Sequence, residues 1–171
     1  MRPVILSILL FATFGSFAQS QPCSYTIDSV KILNNQNLKA LVDSLQTTQL
    51  TTLNNKNNIP KFLKHTLNCW TGDFDIANPN QPFQATDVVR WRVKPLPRRQ
   101  LTYLGLNDHF MLLAYKQGGK GLSHHIIIFR YDNNKVVDFW TGYGGEFKSK
   151  EAVLNYLKNF KGNTQTGFIY L

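Results

Sequence analysis

The chain has 171 residues, of which 43% are hydrophobic and 17% are charged, with 12 phenylalanines, 7 tyrosines and 3 tryptophans. This composition is typical of one globular domain with a full core, and it excludes intrinsic disorder over most of the length. Nineteen basic residues against ten acidic ones give a formal charge of +9 at pH 7, which either favours anionic partners or simply serves solubility.

The N-terminus has the pattern of an export signal. Arg2 precedes a mostly apolar stretch at residues 4–14, and small residues follow it. We therefore expect residues 1–18 to be a cleaved signal peptide and residues 19–171 to form a single exported domain, in a periplasm or outside the cell. The stretch is too short to span a bilayer, and no later segment approaches twenty apolar residues, so no transmembrane segment is expected. Cys23 does not follow a small residue at a cleavage point, so no lipid anchor is expected either.

Cys23 and Cys69 are the only cysteines, and an exported protein meets oxidising conditions. We predict that they form one disulfide. On the chain-entropy model, closing such a loop stabilises the folded chain by about 4 kcal/mol. The alternative is a catalytic thiol, which would need a nearby base and a lowered pKa. The presence of an evident partner cysteine favours the disulfide.

Two amphipathic helices are predicted in the N-terminal part of the mature chain. Apolar residues at helical spacing predict a helix over residues 37–49, and a polar linker follows at 54–58. The second helix is expected to begin with Asn58 as its cap and Pro60 in its first turn, and to end at Gly72. The disulfide would then join the end of this helix to the mature N-terminus.

A basic, aromatic strand is predicted before the C-terminal half. Val89, Trp91 and Val93 alternate with cations, so one face should be buried and the other positive. The candidate surface for an anionic partner extends beyond the strand and consists of Arg90, Arg92, Lys94, Arg98 and Arg99. In composition it resembles a nucleic-acid surface, but export makes nucleic acid an unexpected partner. A phosphate-bearing glycan, a lipid head group or an acidic protein suits it better, through salt-sensitive attraction.

Turn-forming residues divide the C-terminal half into an antiparallel meander. The predicted strands are 99–106, 108–117, 122–131 and 135–143. A helix over 150–161, capped by Ser149, and a last strand over 166–171 are expected to follow.

The predicted fold is a single α+β domain with N-terminal helices, a curved antiparallel sheet of four to six strands, and a C-terminal helix packed on the sheet. The inner strands are apolar on both sides, so the sheet should be covered on both faces or strongly curved. Helices on a curved sheet resemble the cystatin-like and nuclear-transport-factor-like architectures. This resemblance concerns architecture alone, rests on no motif and implies no activity.

The turns also predict which side chains share a face of the sheet. The turn centres are expected at Asn107-Asp108, Gly119-Lys120 and Asn133-Asn134. One row near the end of the sheet then forms the candidate ligand-binding pocket, a polar cluster that consists of Gln100, Tyr115, His124 and Tyr143. The alternative is that His124 is an ordinary hydrogen-bonded sheet residue between two tyrosines. His125 is expected on the opposite face, which weakens a metal interpretation of the adjacent histidines.

No catalytic motif accompanies these features. The sequence has no G-x-S-x-G elbow, no H-E-x-x-H helix and no cysteine zinc pattern, so no catalytic residue, metal site or cofactor is predicted. Asp138 is the one acid in an apolar setting, and we expect its role to be structural.

The predicted function is that of an exported binding module. It would engage an anionic or amphipathic envelope component, or an acidic partner protein. One alternative is a small envelope hydrolase or lyase that uses His124 with Tyr115 or Tyr143. Another is a packing role in a larger envelope assembly.

Overall fold

A curved antiparallel sheet of six strands, together with four helices, forms the fold, so the predicted α+β class is confirmed. The structure is a computed structural model that describes residues 23, 25–87, 95–162 and 171. The predicted signal peptide, the strand predicted around residues 89–93 and the last predicted strand except Leu171 lie outside the described residues.

The four long strands lie within two residues of their predicted bounds. They are β3 (Arg99–Leu106), β4 (Phe110–Gln117), β5 (Ser123–Asp132) and β6 (Lys135–Tyr143). Two strands of two residues each, β1 (Thr51–Thr52) and β2 (Ile76–Ala77), were not predicted. The order in the sheet is β1-β3-β4-β5-β6, and β2 pairs in parallel with the start of β3. Both short strands therefore lie along the same edge of β3.

The predicted helices are present with shorter bounds, and one short helix is additional. The helices are α1 (Ser29–Leu33), α2 (Leu38–Thr47), α3 (Lys61–Thr71) and α4 (Lys150–Leu157). Ser149 caps α4 as predicted, because its side chain accepts a hydrogen bond from the backbone N–H of Ala152 at 3.2 Å. Gly72 ends α3 at a positive φ of 76°. The predicted cap of α3 is wrong, because Asn58 lies in a separate 3₁₀ turn and Pro60 occupies the cap position.

Helices and loops cover both faces of the sheet, as the apolar inner strands predict. Adjacent residues of a strand point to opposite faces, so the side chain of Phe139 lies on one face of the sheet and that of Trp140 lies on the other. The ring of Trp70 in α3 lies 4.7 Å from that of Phe139, and the ring of Phe160 just after α4 lies 5.3 Å from that of Trp140. Helix α3 therefore packs on one face, and the segment just after α4 packs on the other.

The turns that set the register differ in part from the prediction. Asn107 accepts hydrogen bonds from the backbone N–H groups of His109 and Phe110, at 2.9 and 2.7 Å, which moves the first turn forward by one residue. The second connection is a five-residue loop, 118–122, rather than a two-residue turn. Only the turn at Asn133-Asn134 is as predicted, with φ values of 46° and 60° that are typical of a tight hairpin.

Two β-bulges shift the pairing further. Thr102 is an extra residue in β3 where it pairs with β4, and Val137 is an extra residue in β6 where it pairs with β5. A bulge changes by one residue which side chains lie opposite each other, and so which of them share a face. The predicted row of pocket residues is therefore not formed.

Asp138 has the structural role that was expected. Its buried carboxylate accepts hydrogen bonds from the ammonium of Lys31 at 2.9 Å, from the side-chain amide of Asn37 at 2.7 Å and from the backbone N–H of Phe139 at 3.0 Å. These bonds fasten α1 and the start of α2 to β6. None of the helices in the described part of the chain is long and apolar enough to cross a membrane.

Candidate functional site

Tyr115 and Tyr143 flank His125, not His124 as predicted. His125 lies opposite Tyr115 in β4 and opposite Tyr143 in β6. The ring centroids are 5.2 Å apart on the Tyr115 side and 5.1 Å apart on the Tyr143 side. A hydrogen bond of 2.8 Å joins Nε2 of His125 to the hydroxyl of Ser123. The sequence thus predicted the two tyrosines as neighbours of a histidine, but selected the wrong one of two adjacent histidines.

This tyrosine–histidine stack belongs to the core and not to an open cavity. Tyr115 has no exposed surface, and His125 is 1% exposed. Burial lowers the pKa of His125 to about 4, and the positive charge of Arg99 acts in the same direction, so the ring is neutral at pH 7. Burial also raises the pKa of Tyr115 above its ordinary value.

Gln100 and His124 lie on the opposite face of the sheet. Both are paired with Lys116, Gln100 from the β3 side and His124 from the β5 side. Since alternate residues of a strand face alternate sides, this row is separated from the tyrosine–histidine stack by the thickness of the sheet. The four predicted pocket residues therefore lie on two different faces of the sheet, Tyr115 and Tyr143 on one and Gln100 and His124 on the other.

Arg98 is exposed, whereas Arg99 is buried, with 8% of its surface exposed. The Arg99 guanidinium donates to the backbone carbonyls of Asp73 (3.2 Å) and Leu171 (2.9 Å) and lies 4.5 Å from the centre of the Phe74 ring. Arg99 thus fastens β3 to other parts of the chain and is not part of an exposed positive surface. The other members of the surface predicted to bind an anionic partner lie outside the described residues; they are Arg90, Arg92 and Lys94.

The predicted pair of cysteines is at bonding distance. Cys23 and Cys69 form a disulfide with their Cα atoms 5.9 Å apart, and it joins the N-terminal segment to α3. The backbone carbonyl of Tyr25 accepts a hydrogen bond from the indole N–H of Trp70 at 3.2 Å, next to the disulfide in the chain. The chain ahead of α1 is therefore held to α3 by a covalent bond and by a hydrogen bond.

A polar cleft of about 450 Å³ lies beside Gln100 and Lys116. Its walls come from the loops that follow β1 and β2, from the bulged part of β3, from the end of β4 and from the loop between β6 and α4. We call it the amide cleft. The side chains that carry its chemistry are Asn54, Asn55, Asn78, Gln100, Lys116, Glu146 and Lys148.

An ion pair joins two walls of the amide cleft. The Nζ atom of Lys116 lies 3.0 Å from Oε2 of Glu146. The hydrogen bond from Lys116 lowers the pKa of Glu146, and the charges of Lys116 and Lys148 act in the same direction. Among the described residues, two lysines and one glutamate give the lining of the cleft a net positive charge of one.

The amide cleft was missed by sequence reasoning except for Gln100. Residues 54–58 were interpreted as a linker, and the asparagines at 78 and 80 as part of a loop. The repeated amides were a visible signal. Chain order does not indicate that these two loops meet, because both are held at the edge of β3 by the unpredicted strands β1 and β2.

A larger cleft, of about 590 Å³, lies at the other end of the sheet beside the turns at Asn107-His109 and Asn133-Asn134. The described part of its lining contains Asp108 and Asp132 but no lysine or arginine. Its charge therefore does not suit an anion, in contrast to the amide cleft.

Within the described residues, no group of three or more histidine, cysteine, aspartate or glutamate side chains could hold a metal ion. No protein-family model, no curated protein and no solved structure matches the chain. The function proposed below rests on the geometry and chemistry of the chain itself.

Proposed function

We propose that this protein is an exported binding module that holds an anionic ligand in the amide cleft. One observation carries the proposal: two lysines and three asparagines meet in the amide cleft. The NH₂ group of each of these asparagine side chains is left free to bind a ligand. Lysine ammonium groups and amide NH₂ groups are hydrogen-bond donors, and anionic oxygens are acceptors.

Hydrogen bonds to the backbone fix the orientation of the three asparagine amides. The Oδ1 atoms of Asn54, Asn55 and Asn78 accept from backbone N–H groups, at 2.9, 2.9 and 2.7 Å. A backbone N–H can only donate, so the atom that meets it must be the amide oxygen. The NH₂ group is then the end of each side chain that is left for a ligand. Such pre-set donors cost little further ordering when an anion binds.

Export is supported by the disulfide. A bond between Cys23 and Cys69 is stable in an oxidising compartment and rare in a reducing one. The predicted signal peptide at residues 1–18 points the same way. In such a compartment the chain without residues 1–18 has 18 basic and 10 acidic residues, a formal charge of +8, which would attract acidic glycans, anionic lipid head groups and acidic proteins.

The alternative of a hydrolase or lyase with a His/Tyr pocket has less support. It requires His124 beside Tyr115 or Tyr143, and those tyrosines lie on the other face of the sheet, stacked on His125. A buried, neutral histidine within the core has no room for a substrate.

Binding of anionic polymers and surfaces across a salt series tests the proposal. The probes are polygalacturonate, heparin and vesicles that contain phosphatidylglycerol. The double variant Lys116→Met/Lys148→Met should bind at least one of these probes about tenfold more weakly or worse, because each charge-assisted hydrogen bond contributes about 1.5–3 kcal/mol. Binding by the unaltered protein should weaken as salt rises.

The matched control is Lys64→Met/Lys135→Met, which removes the same charge from exposed positions outside the cleft. It should retain most of the affinity. An equal loss in both double variants would mean that general charge, and not the cleft, binds the probe. If the unaltered protein binds no anion at all, neither these polymers and vesicles nor small carboxylates, the proposal is rejected.

A further inference from the structure

We infer that the ligand of the amide cleft is a hydroxylated monoanion, a compact molecule of the sugar-acid class with one carboxylate and several hydroxyl groups. The inference rests on the proposed function and adds the class of ligand. It follows from the acceptors in the cleft, from the net charge of the described lining and from the size of the cleft.

The cleft offers acceptors as well as donors. Gln100 donates through Nε2 to the backbone carbonyl of Gln81 at 2.7 Å, and a carbonyl can only accept, so the free end of this amide is its oxygen. The carboxylate of Glu146 adds a further acceptor beside Lys116. An ion such as sulfate brings only acceptors and is repelled by both groups. A ligand hydroxyl can donate to them and accept from the asparagine NH₂ groups.

Charge and size restrict the ligand to a small monoanion. Lys116, Lys148 and Glu146 sum to one positive charge, which a single carboxylate neutralises. A volume of about 450 Å³ lies in the range of roughly 300–1,000 Å³ that is typical of small-molecule sites.

Isothermal titration calorimetry on the full mature chain tests the inference with a matched set of probes. Galacturonate and glucuronate are the hydroxylated monoanions. Galactose and glucose have the hydroxyl groups without the charge, butyrate has the charge without the hydroxyl groups, and sulfate has acceptors alone. At least one uronate should bind about tenfold more tightly than its neutral sugar, butyrate and sulfate.

The variant Glu146→Gln separates recognition from a merely structural role. It should weaken uronate binding about tenfold, because a charged acceptor is lost, and strengthen sulfate binding, because a repulsive charge is lost. A merely structural role of Glu146 would weaken binding of both probes. Glu151→Gln, an exposed position on α4 outside the amide cleft, should change neither affinity.

The outcomes distinguish this inference from the proposed function. If butyrate or sulfate binds as tightly as the uronates, the cleft is a general anion site, and the inference is overturned while the proposed function stands. The same holds if only the acidic polymers or vesicles bind in a manner that depends on Lys116 and Lys148. If nothing binds in that manner, both are overturned.

Discussion

At the scale of single residues, the buried ring of His125 links stability to pH. Its pKa is about 4 in the folded chain, against an ordinary value of 6.5. Above pH 6.5 the ring is neutral in both the folded and the unfolded chain, so stability does not depend on it. As the pH falls from 6.5 toward 4, the unfolded chain binds a proton that the folded chain excludes. The free energy of unfolding should then fall by about 1.4 kcal/mol per pH unit, or about 3 kcal/mol in all.

Urea denaturation across this pH range measures the effect. His125→Phe keeps a ring between Tyr115 and Tyr143 but cannot bind a proton, so it should lose this part of the pH dependence. His65→Gln, at an exposed position on α3, should keep it. Carboxylates that titrate over the same range contribute equally to the pH dependence of all three proteins, so their contribution cancels when the proteins are compared. Equal slopes for the wild type and His125→Phe would contradict the prediction.

At the scale of elements, the first residue of the loop after β4 passes so close to another segment that only glycine can occupy position 118. A Cβ atom on Gly118 would lie 2.0 Å from the backbone oxygen of Gln84 and 2.6 Å from Cα of Ala85. Both atoms are backbone and cannot move aside independently. Gly118→Ala should therefore destabilise the fold by about 2 kcal/mol or more. A Cβ atom on Gly121, in the same loop, would have no atom of the described residues within 4 Å.

Chemical denaturation of Gly118→Ala and Gly121→Ala compares their free energies of unfolding. Gly121→Ala should change the free energy of unfolding by no more than about 0.5 kcal/mol. The turn predicted from the sequence is centred on Gly119-Lys120, and turn geometry alone predicts no such difference between Gly118 and Gly121. If the two variants are similarly stable, turn geometry explains these glycines better than the close approach of the backbone at Gly118 does.

The same loop shows how far sequence reasoning reaches. Strand bounds were predictable, because apolar runs and the turn-forming pairs between them, such as Asn133-Asn134, are local signals. Face assignment was not, because it depends on single-residue events, the bulges at Thr102 and Val137 and the odd length of the loop 118–122. Each event changes which side chains share a face, and none of them leaves a periodic signal in the sequence. The sequence therefore predicted the sheet but not the row of residues at its end.

The amide cleft was beyond sequence reasoning for a related reason. Its walls come from loops far apart in the chain that meet at β3, and the two-residue strands that hold them there have no periodicity to detect. The donor and acceptor ends of its amides depend on backbone hydrogen bonds, such as that from Leu104 to Asn54. Those bonds exist only in the folded chain.

At the scale of the whole molecule, the disulfide closes a long loop between the N-terminal segment and α3. Cys23 and Cys69 are 46 positions apart, and a cross-link over this distance removes conformational entropy from the unfolded chain. The double variant Cys23→Ser/Cys69→Ser should lose about 4 kcal/mol of the free energy of unfolding. Guanidinium denaturation with and without a reductant measures it.

The reductant supplies the control for this last prediction. It should lower the stability of the wild type to about that of the double variant, and it should leave the double variant unchanged. If the oxidised wild type and the double variant unfold at the same denaturant concentration, the disulfide does not stabilise the fold. The free energy of unfolding of a domain of this size is typically only about 5–15 kcal/mol. A loss of about 4 kcal/mol would make a reducing compartment a poor location for this chain, so the experiment also tests the proposal that the protein is exported.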